Sequence, residues 1–203
     1  MQTLVLASHN KGKVAELKAL LESFPVRVQG LDAYPGIGEI PETGETFEEN
    51  AAIKAEAVCR LTGRIALADD SGLAVDFLGG APGVYSARYS DPGATPERNN
   101  EKLLRELSDV PRDKRTARFI CVMTAQAPCG ETLTARGEWP GVIAETLQGQ
   151  GGFGYDPVFF DPEAGMTAAQ MEPAFKNQRS HRGLALRALL EGWKEFLDRV
   201  RAD

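Results

Sequence analysis

Thr3-Leu4-Val5-Leu6-Ala7-Ser8-His9-Asn10-Lys11-Gly12-Lys13-Val14-Ala15-Glu16-Leu17-Lys18-Ala19-Leu20-Leu21 is the stretch that decides the fold. Thr3 to Ala7 is an apolar run of strand length, Ser8 to Lys13 is a polar turn, and Val14, Leu17, Leu20 and Leu21 then recur at helical spacing. A buried strand that feeds a helix through a short polar turn opens an α/β domain. The turn brings a hydroxyl, an amide and two ammonium groups to a helix N-terminus, where backbone N–H groups and the helix dipole favour phosphate. An N-cap at Asn10 with surface lysines accounts for the same residues.

Downstream the same alternation continues. Thr46 opens a second helix with Glu49 three residues later as a capping box, and the helix runs to about Leu61. Arg64 to Ala68 reads as a strand that ends abruptly at Asp69-Asp70-Ser71-Gly72. Beyond the glycine-rich bend at Gly79 to Gly83, Thr95 caps a helix with Pro96 at its first position and Leu103, Leu104 and Leu107 facing inward. Ala117, Phe119, Cys121, Met123 and Ala125 alternate with mostly polar neighbours. Pro128-Cys129-Gly130 then turns the chain into a partner strand near Leu133 to Trp139, a long hairpin. Val158 to Phe160 forms a short strand. Ser180 caps one final helix that buries Leu186, Leu189, Leu190, Trp193, Phe196, Leu197 and Val200. The chain reads as one domain over residues 1–203, a mixed sheet flanked by helices with two lobes around one cleft.

Composition narrows the function classes. A 203-residue chain with 42% hydrophobic residues buries its core without staples. No signal peptide and no apolar run of about 20 residues is present, so a soluble, unprocessed protein is expected. Three cysteines without a C-x-x-C spacing suggest neither a disulfide framework nor a zinc site, and fit a reducing cytoplasm. With His9 and His181 as the only histidines, any metal is expected to be held by oxygen. A net charge of -6 argues against a nucleic-acid partner, although it leaves room for one small anion in a local basic pocket.

Several residues carry possible chemistry. Asp69 and Asp70 follow a buried strand, where ligands bind in open α/β sheets, and adjacent carboxylates there can hold a hard cation and deprotonate a water. A solvated Asp-Asp-Ser-Gly turn is the plain alternative. Lys54 falls at the centre of the helical face formed by Phe47, Ala51, Ala55, Val58 and Leu61, so it needs a buried anion unless it snorkels to water. No Walker loop occurs. Gly149-Gln150-Gly151-Gly152-Phe153-Gly154 matches G-x-G-x-x-G, but Tyr155-Asp156-Pro157 leads into a strand instead of a helix, which excludes a dinucleotide fold. What remains is a flexible loop in which Phe153 can stack on a base and Asp156 can accept from its ring N–H; Phe153 as plain core packing is the commoner outcome for an aromatic. Lys176, Ser180, His181 and Arg182 gather donors at the last helix, or form a solvated basic cap. No G-x-S-x-G elbow supports a serine hydrolase.

In order, Ser8-His9-Asn10-Lys11-Gly12-Lys13, Glu42-Thr43-Gly44 with Phe47 to Lys54, Ala68 to Leu73, Gly83 to Tyr89, Gly152 to Pro157, and Lys176 with Ser180-His181-Arg182 closely resemble the inosine triphosphate pyrophosphatase family over roughly residues 2 to 190. The resemblance implies an elongated α/β fold with a central cleft, a homodimer and Mg2+ as cofactor. It implies hydrolysis of non-standard purine nucleoside triphosphates (ITP, dITP, XTP, dXTP) to the monophosphate and pyrophosphate, which cleanses the nucleotide pool. It further implies that Asp70 accepts the proton, with Glu42 and Asp70 near the metal and Asp69 supporting them. Ser8, His9, Asn10, Lys11, Gly12, Lys13, Lys54, Ser71 and Lys176 would contact the triphosphate. Phe153, Gly154, Tyr155, Asp156, His181 and Arg182 would hold the base. His9 departs from the small residue often found at its position in that family. Competing readings are a pyrophosphatase for modified pyrimidine or 7-methylguanine nucleotides, and a nucleotide sensor that binds without chemistry.

Overall fold

Strand parity organises the first part of the chain. In β1 (Gln2–Leu6) and β3 (Ile65–Val75), Leu4, Leu6, Ile65 and Leu67 face one apolar cluster, whereas Val5, Ala7, Ala66 and Ala68 face another. Successive residues of a strand point to opposite sides, so two buried faces require a helix layer on each. α1 (Lys11–Leu20) supplies Leu17 to the first cluster, and α2 (Phe47–Thr62) supplies Ala55, Val58 and Cys59 to the second. The coordinates are a computed structural model that describes residues 2–202.

β2 (Val26–Gln29), α3 (Pro96–Glu106), β4 (Thr116–Gln126), β5 (Thr132–Ile143), β6 (Phe159–Asp161), β7 (Met166–Thr167), α4 (Pro173–Arg179), α5 (His181–Glu191) and α6 (Trp193–Ala202) complete the elements. Seven strands form one sheet in the order β2-β1-β3-β4-β5-β6-β7. β1 pairs in parallel with both β2 and β3, while β6 pairs antiparallel with β5 and β7, so the sheet is mixed.

The chain divides into two compact units. The first comprises residues through Asp70, Cys121–Gly137 and the segment from Arg182 onward; the second comprises Ser71–Ile120 and Glu138–His181. Helices α1, α5 and α6 enclose the larger core of the first unit, with Leu186, Leu189, Trp193 and Phe196 against the sheet. In the second unit Leu103, Leu107, Phe119, Trp139 and Phe159 form a separate core, and buried Arg115 donates to the carbonyls of Leu107, Val110 and Ala144.

Local signals explain the helix starts. Thr46 and Glu49 form the reciprocal capping box, and Thr95 accepts from Arg98 N with Pro96 in the first turn. Four expectations need correction. β3 does not turn at Asp69 but continues to Val75, with every residue except Ser71 buried; each aspartate meets cations there, and that pairing overrides its turn preference. β4 is buried on both faces from Phe119 to Ala125 because it is the middle strand of seven. Leu61 is 60% exposed, since the apolar cluster behind α2 ends at Val58 and Cys59. The single final helix is instead two, α5 and α6, interrupted at Gly192, where a Cβ would sit 3.0 Å from Leu133 Cδ1; Ser180 stands just before α5 and also closes α4.

Candidate functional site

β1 ends at Leu6, and the hydrogen bond from Ala7 N to the Leu67 carbonyl (2.8 Å) is followed by the turn into α1, while β3 runs on. α1 and α2 cover opposite faces of these strands, so this is the point where successive connections diverge, the usual ligand position of an open α/β sheet. Asn10 caps α1 by accepting from Lys13 N at 3.1 Å, and Ser8 Oγ accepts from Asn10 N at 3.2 Å. His9 donates through Nε2 to the Gly38 carbonyl at 3.2 Å. Lys11 and Gly12 occupy the first turn of α1.

Parity then separates the two aspartates. Asp69 continues the series Ile65, Leu67 toward α1 and α5, where its Oδ2 lies 3.1 Å from Lys13 Nζ and 3.3 Å from Arg182 Nη2. Arg182, almost fully buried, also pairs with Glu16. Asp70 continues the series Ala66, Ala68 toward α2, where Lys54 Nζ lies 3.2 Å from its Oδ1 and 2.6 Å from Glu42 Oε1. The buried Oδ2 of Asp70 has no hydrogen-bond partner among the described residues.

These surroundings drive the two carboxyls apart. Burial raises the pKa of Asp69, but Lys13, Arg182 and Lys54 outweigh it and hold the group well below the usual carboxylate range. At Asp70 burial again raises the pKa, Lys54 opposes it, and Glu42 adds a repulsive negative charge, so the net shift is upward. Lys54 loses stability as a cation through burial, yet Asp70, Asp69 and Glu42 more than restore it and its pKa is raised. One aspartate is therefore a fixed anion, and its neighbour is the better proton acceptor.

A second cluster lies in the second unit. Asp156 is buried; its Oδ2 accepts from Phe153 N at 2.8 Å and from Lys176 Nζ at 2.6 Å, and that ammonium lies 5.1 Å from the Phe153 ring centre. Gly152 adopts φ +70°, and a Cβ there would fall 2.0 Å from Asp156 Oδ2, so only glycine lets the loop close on this carboxylate. Tyr155 is buried and donates to the Ser86 carbonyl at 2.8 Å. His181 stacks on Phe119 with ring centres 4.6 Å apart.

The candidate residues thus fall into two groups. Ser8 to Lys13, Glu42, Lys54, Asp69, Asp70 and Arg182 belong to the first unit; Ser71, Phe153 to Asp156, Lys176 and His181 belong to the second. Sequence reading missed Glu16 and Asn50, and took Phe119 only as an inward strand residue. Asn50 is fully buried and accepts from Gly44 N at 2.8 Å, which fixes the segment that carries Glu42. Its place on the buried face of α2, a polar residue in an apolar stripe, was the available signal.

The pattern of the Ham1 family matches residues 4–192. The chain belongs to the Ham1 family. This Ham1 chain is 57% identical over 200 residues to the dITP/XTP pyrophosphatase of Nitratidesulfovibrio vulgaris strain Hildenborough, across 96% of this chain and 97% of that one. It is 50% identical over 190 residues to the protein of the same name from Streptococcus pyogenes serotype M18, of which it spans 58% of the length. Among solved structures, a HAM1 protein from Coxiella burnetii superposes with a TM-score of 0.87 at 41% identity, covering 96% of this chain and all of that one (100%). The Staphylococcus aureus Ham1 protein superposes with a TM-score of 0.84 at 40% identity, covering 96% and 98%. The mixed α/β fold read from the sequence is the Ham1 fold. No helix among the described residues is long and apolar enough to cross a membrane.

Proposed function

We propose that this chain hydrolyses non-standard purine nucleoside triphosphates, dITP, ITP, XTP and dXTP, to the monophosphate and pyrophosphate, and so cleanses the nucleotide pool. The relative from Nitratidesulfovibrio vulgaris, similar over nearly the full length of both chains, is named for that activity on dITP and XTP. The observation that carries the mechanism is Asp70, a buried carboxylate with an upward-shifted pKa and one oxygen without a partner. Such a group takes the proton of an attacking water, which we assign to the α-phosphorus, with pyrophosphate as the leaving group.

Lys13 and Lys54, together with the α1 N-terminus, supply positive charge for a triphosphate carrying about four negative charges. Each cation within about 4 Å contributes roughly 4 kcal/mol at an effective dielectric near 20, before desolvation. Asp69 holds Lys13 and Arg182 in place and stays anionic while Asp70 changes protonation. Among the described residues no three His, Cys, Asp or Glu side chains gather closely enough to hold a metal alone. The donor set nevertheless fits a hard divalent cation such as Mg2+, which takes one or two carboxylates and completes its shell with phosphate and water. Glu42 and the unpartnered oxygen of Asp70 would hold it, and it would neutralise phosphate charge.

Base recognition falls to the loop from Phe153 to Asp156, with Phe153 stacking on the purine and Asp156 accepting from N1–H. Lys176, given to the triphosphate, also pairs with Asp156 of this loop at 2.6 Å. The O6 carbonyl is given to loop backbone N–H groups, His181 and Arg182, whose guanidinium has five N–H donors and also pairs with Glu16 and Asp69. Adenine, with an amino group at C6, would leave those donors unpaired, a mismatch that gives on the order of 10⁴-fold discrimination. By the same reading the protein works in the cytoplasm as a homodimer, over residues 1–203 as one functional domain. Incubation with dITP and Mg2+, followed by product analysis, should yield dIMP and pyrophosphate; dIDP with orthophosphate would refute the assigned bond cleavage.

A further inference from the structure

Two consecutive asparagines of α3, Asn99 and Asn100, are buried, and their amide groups are used differently. Asn99 is saturated: its Oδ1 accepts from Ser90 N (2.8 Å) and Ser90 Oγ (2.7 Å), and its Nδ2 lies 3.2 Å from the carbonyls of both Ser86 and Ala87. It organises the segment after the helical turn at Gly83–Arg88 and is a structural residue. Asn100 makes a contact of another kind, donating from Nδ2 to the Gly154 carbonyl at 2.9 Å, while its buried Oδ1 has no hydrogen-bond partner among the described residues.

An orphaned buried acceptor is unfavourable, and a leucine of similar volume would avoid the cost. The amide at position 100 is therefore explained by its one donation, and that donation lands on the loop assigned to the base. Gly154 has φ +62°, and its flanking residues are anchored separately, Phe153 N on Asp156 and Tyr155 Oη on the Ser86 carbonyl. Asn100 adds a third anchor, which holds the carbonyl of the central glycine from α3. A peptide plane fixed at its oxygen is also fixed at its N–H, so this bond sets where the donor of the next residue, Tyr155, points.

We propose that Asn100 is a positioning residue for base selection, which orients the 152–156 loop through the Gly154 carbonyl without touching the substrate. The assignment rests on the proposed function only for the role of the loop; the tether itself is independent of it.

The test uses full-length protein with Asn100→Leu and Asn100→Asp. Hydrogen exchange at the amides of residues 153 to 155 should accelerate in both variants, while exchange elsewhere in α3 is unchanged. For Asn100→Leu the melting temperature should hold or rise, KM for ITP should increase about 3- to 10-fold, as expected for one lost hydrogen bond, and kcat should change less than about 2-fold. The preference for ITP over GTP should fall with it. Unchanged loop exchange, or a lowered melting temperature with unaltered KM and base preference, would overturn the proposal and leave Asn100 as packing. If the unsubstituted protein turns over neither ITP nor XTP, the proposed function fails, and the exchange measurement still decides the tether.

Discussion

Neutralising each of the two neighbouring aspartates in turn should have opposite consequences. Asp69→Asn removes the shared partner of Lys13 and Arg182; the side chain of Asp69 is fully buried and that of Arg182 is 2% exposed, so screening by water is slight. Removing one partner of a buried ion pair costs about 3–5 kcal/mol because the remaining charge is uncompensated. Arg182 keeps Glu16, which places the expected loss at the lower end, about 3 kcal/mol. For a chain of this length that corresponds to a fall in melting temperature of roughly 6–12 °C. Asp70→Asn acts the other way. The folded-state pKa of Asp70 is raised, so its ionised form disfavours the fold at neutral pH, and Lys54 keeps Glu42 at 2.6 Å after the substitution. Stability should be unchanged or slightly increased, while turnover of dITP falls at least about 100-fold, the low end for loss of a general base. Thermal melts in chelator, which removes any contribution from bound metal, paired with pyrophosphate release assays, provide the readout. Equal destabilisation by both substitutions, or turnover retained in Asp70→Asn, would refute the division of roles.

Acid unfolding tests a different carboxylate. Burial opposes the ionised form of Asp161, but hydrogen bonds from Arg179, Trp139 and the amides of Ala164 and Glu163 outweigh it, and its pKa is lowered. Its contribution to stability is therefore complete above the unfolded carboxylate pKa of about 4 and is lost as pH falls toward the lower folded value; Asp161→Asn should flatten the decline of melting temperature below about pH 4. Thiol labelling of the native protein near pH 8 should modify one cysteine quickly: Cys129 is exposed, whereas Cys59 is buried with a raised pKa and the Cys121 thiol is pushed up to about 12 by burial. Mass spectrometry of the labelled peptides would identify two reactive sites if this account of burial were wrong. Glu42→Gln should raise the Mg2+ concentration needed for half-maximal turnover, with the substrate preference intact; an unchanged Mg2+ dependence would remove Glu42 from the cation.

Much of the fold was legible because local and tertiary preferences agree. The capping box at Thr46, the Thr95-Pro96 start and the turn at Pro128-Cys129-Gly130 are backbone chemistry that short windows contain, and all three occur as expected. The end of β3 was misread for a physical reason. Asp favours turns because its carboxylate can bond the backbone nearby, and at Asp69 and Asp70 the carboxylates are engaged instead by cations delivered by α1, α2 and α5. No window around residue 69 contains Lys13, Lys54 and Arg182. The break at Gly192 had a local signal, a residue of low helix propensity between Glu191 and Trp193, which apolar spacing continuing on both sides of it masked. Lys54 was the exception that could be read directly: a lysine centred on an apolar face demands an anion, and the anions are Asp70 and Glu42.

The side of the strand on which a carboxylate falls decides which of the pair is the base. Asp69 and Asp70 are the same residue type, adjacent in one strand, and both buried. What differs most is parity: the odd-numbered member meets two cations, Lys13 and Arg182, and the even-numbered member shares one lysine with Glu42. Register in β3 is pinned by the pairing of Leu4, Val5 and Leu6 with Ile65, Ala66 and Leu67, and by apolar residues on both faces that a one-residue slip would exchange. The packing that defines the core therefore also determines the protonation chemistry. A residue inserted between Leu67 and Asp69 would place the first aspartate where Asp70 now stands, beside Lys54, and carry the second about 7 Å along the strand from the present site of Asp69, and by this reasoning would transfer the base from the second aspartate to the first even though both carboxylates remain.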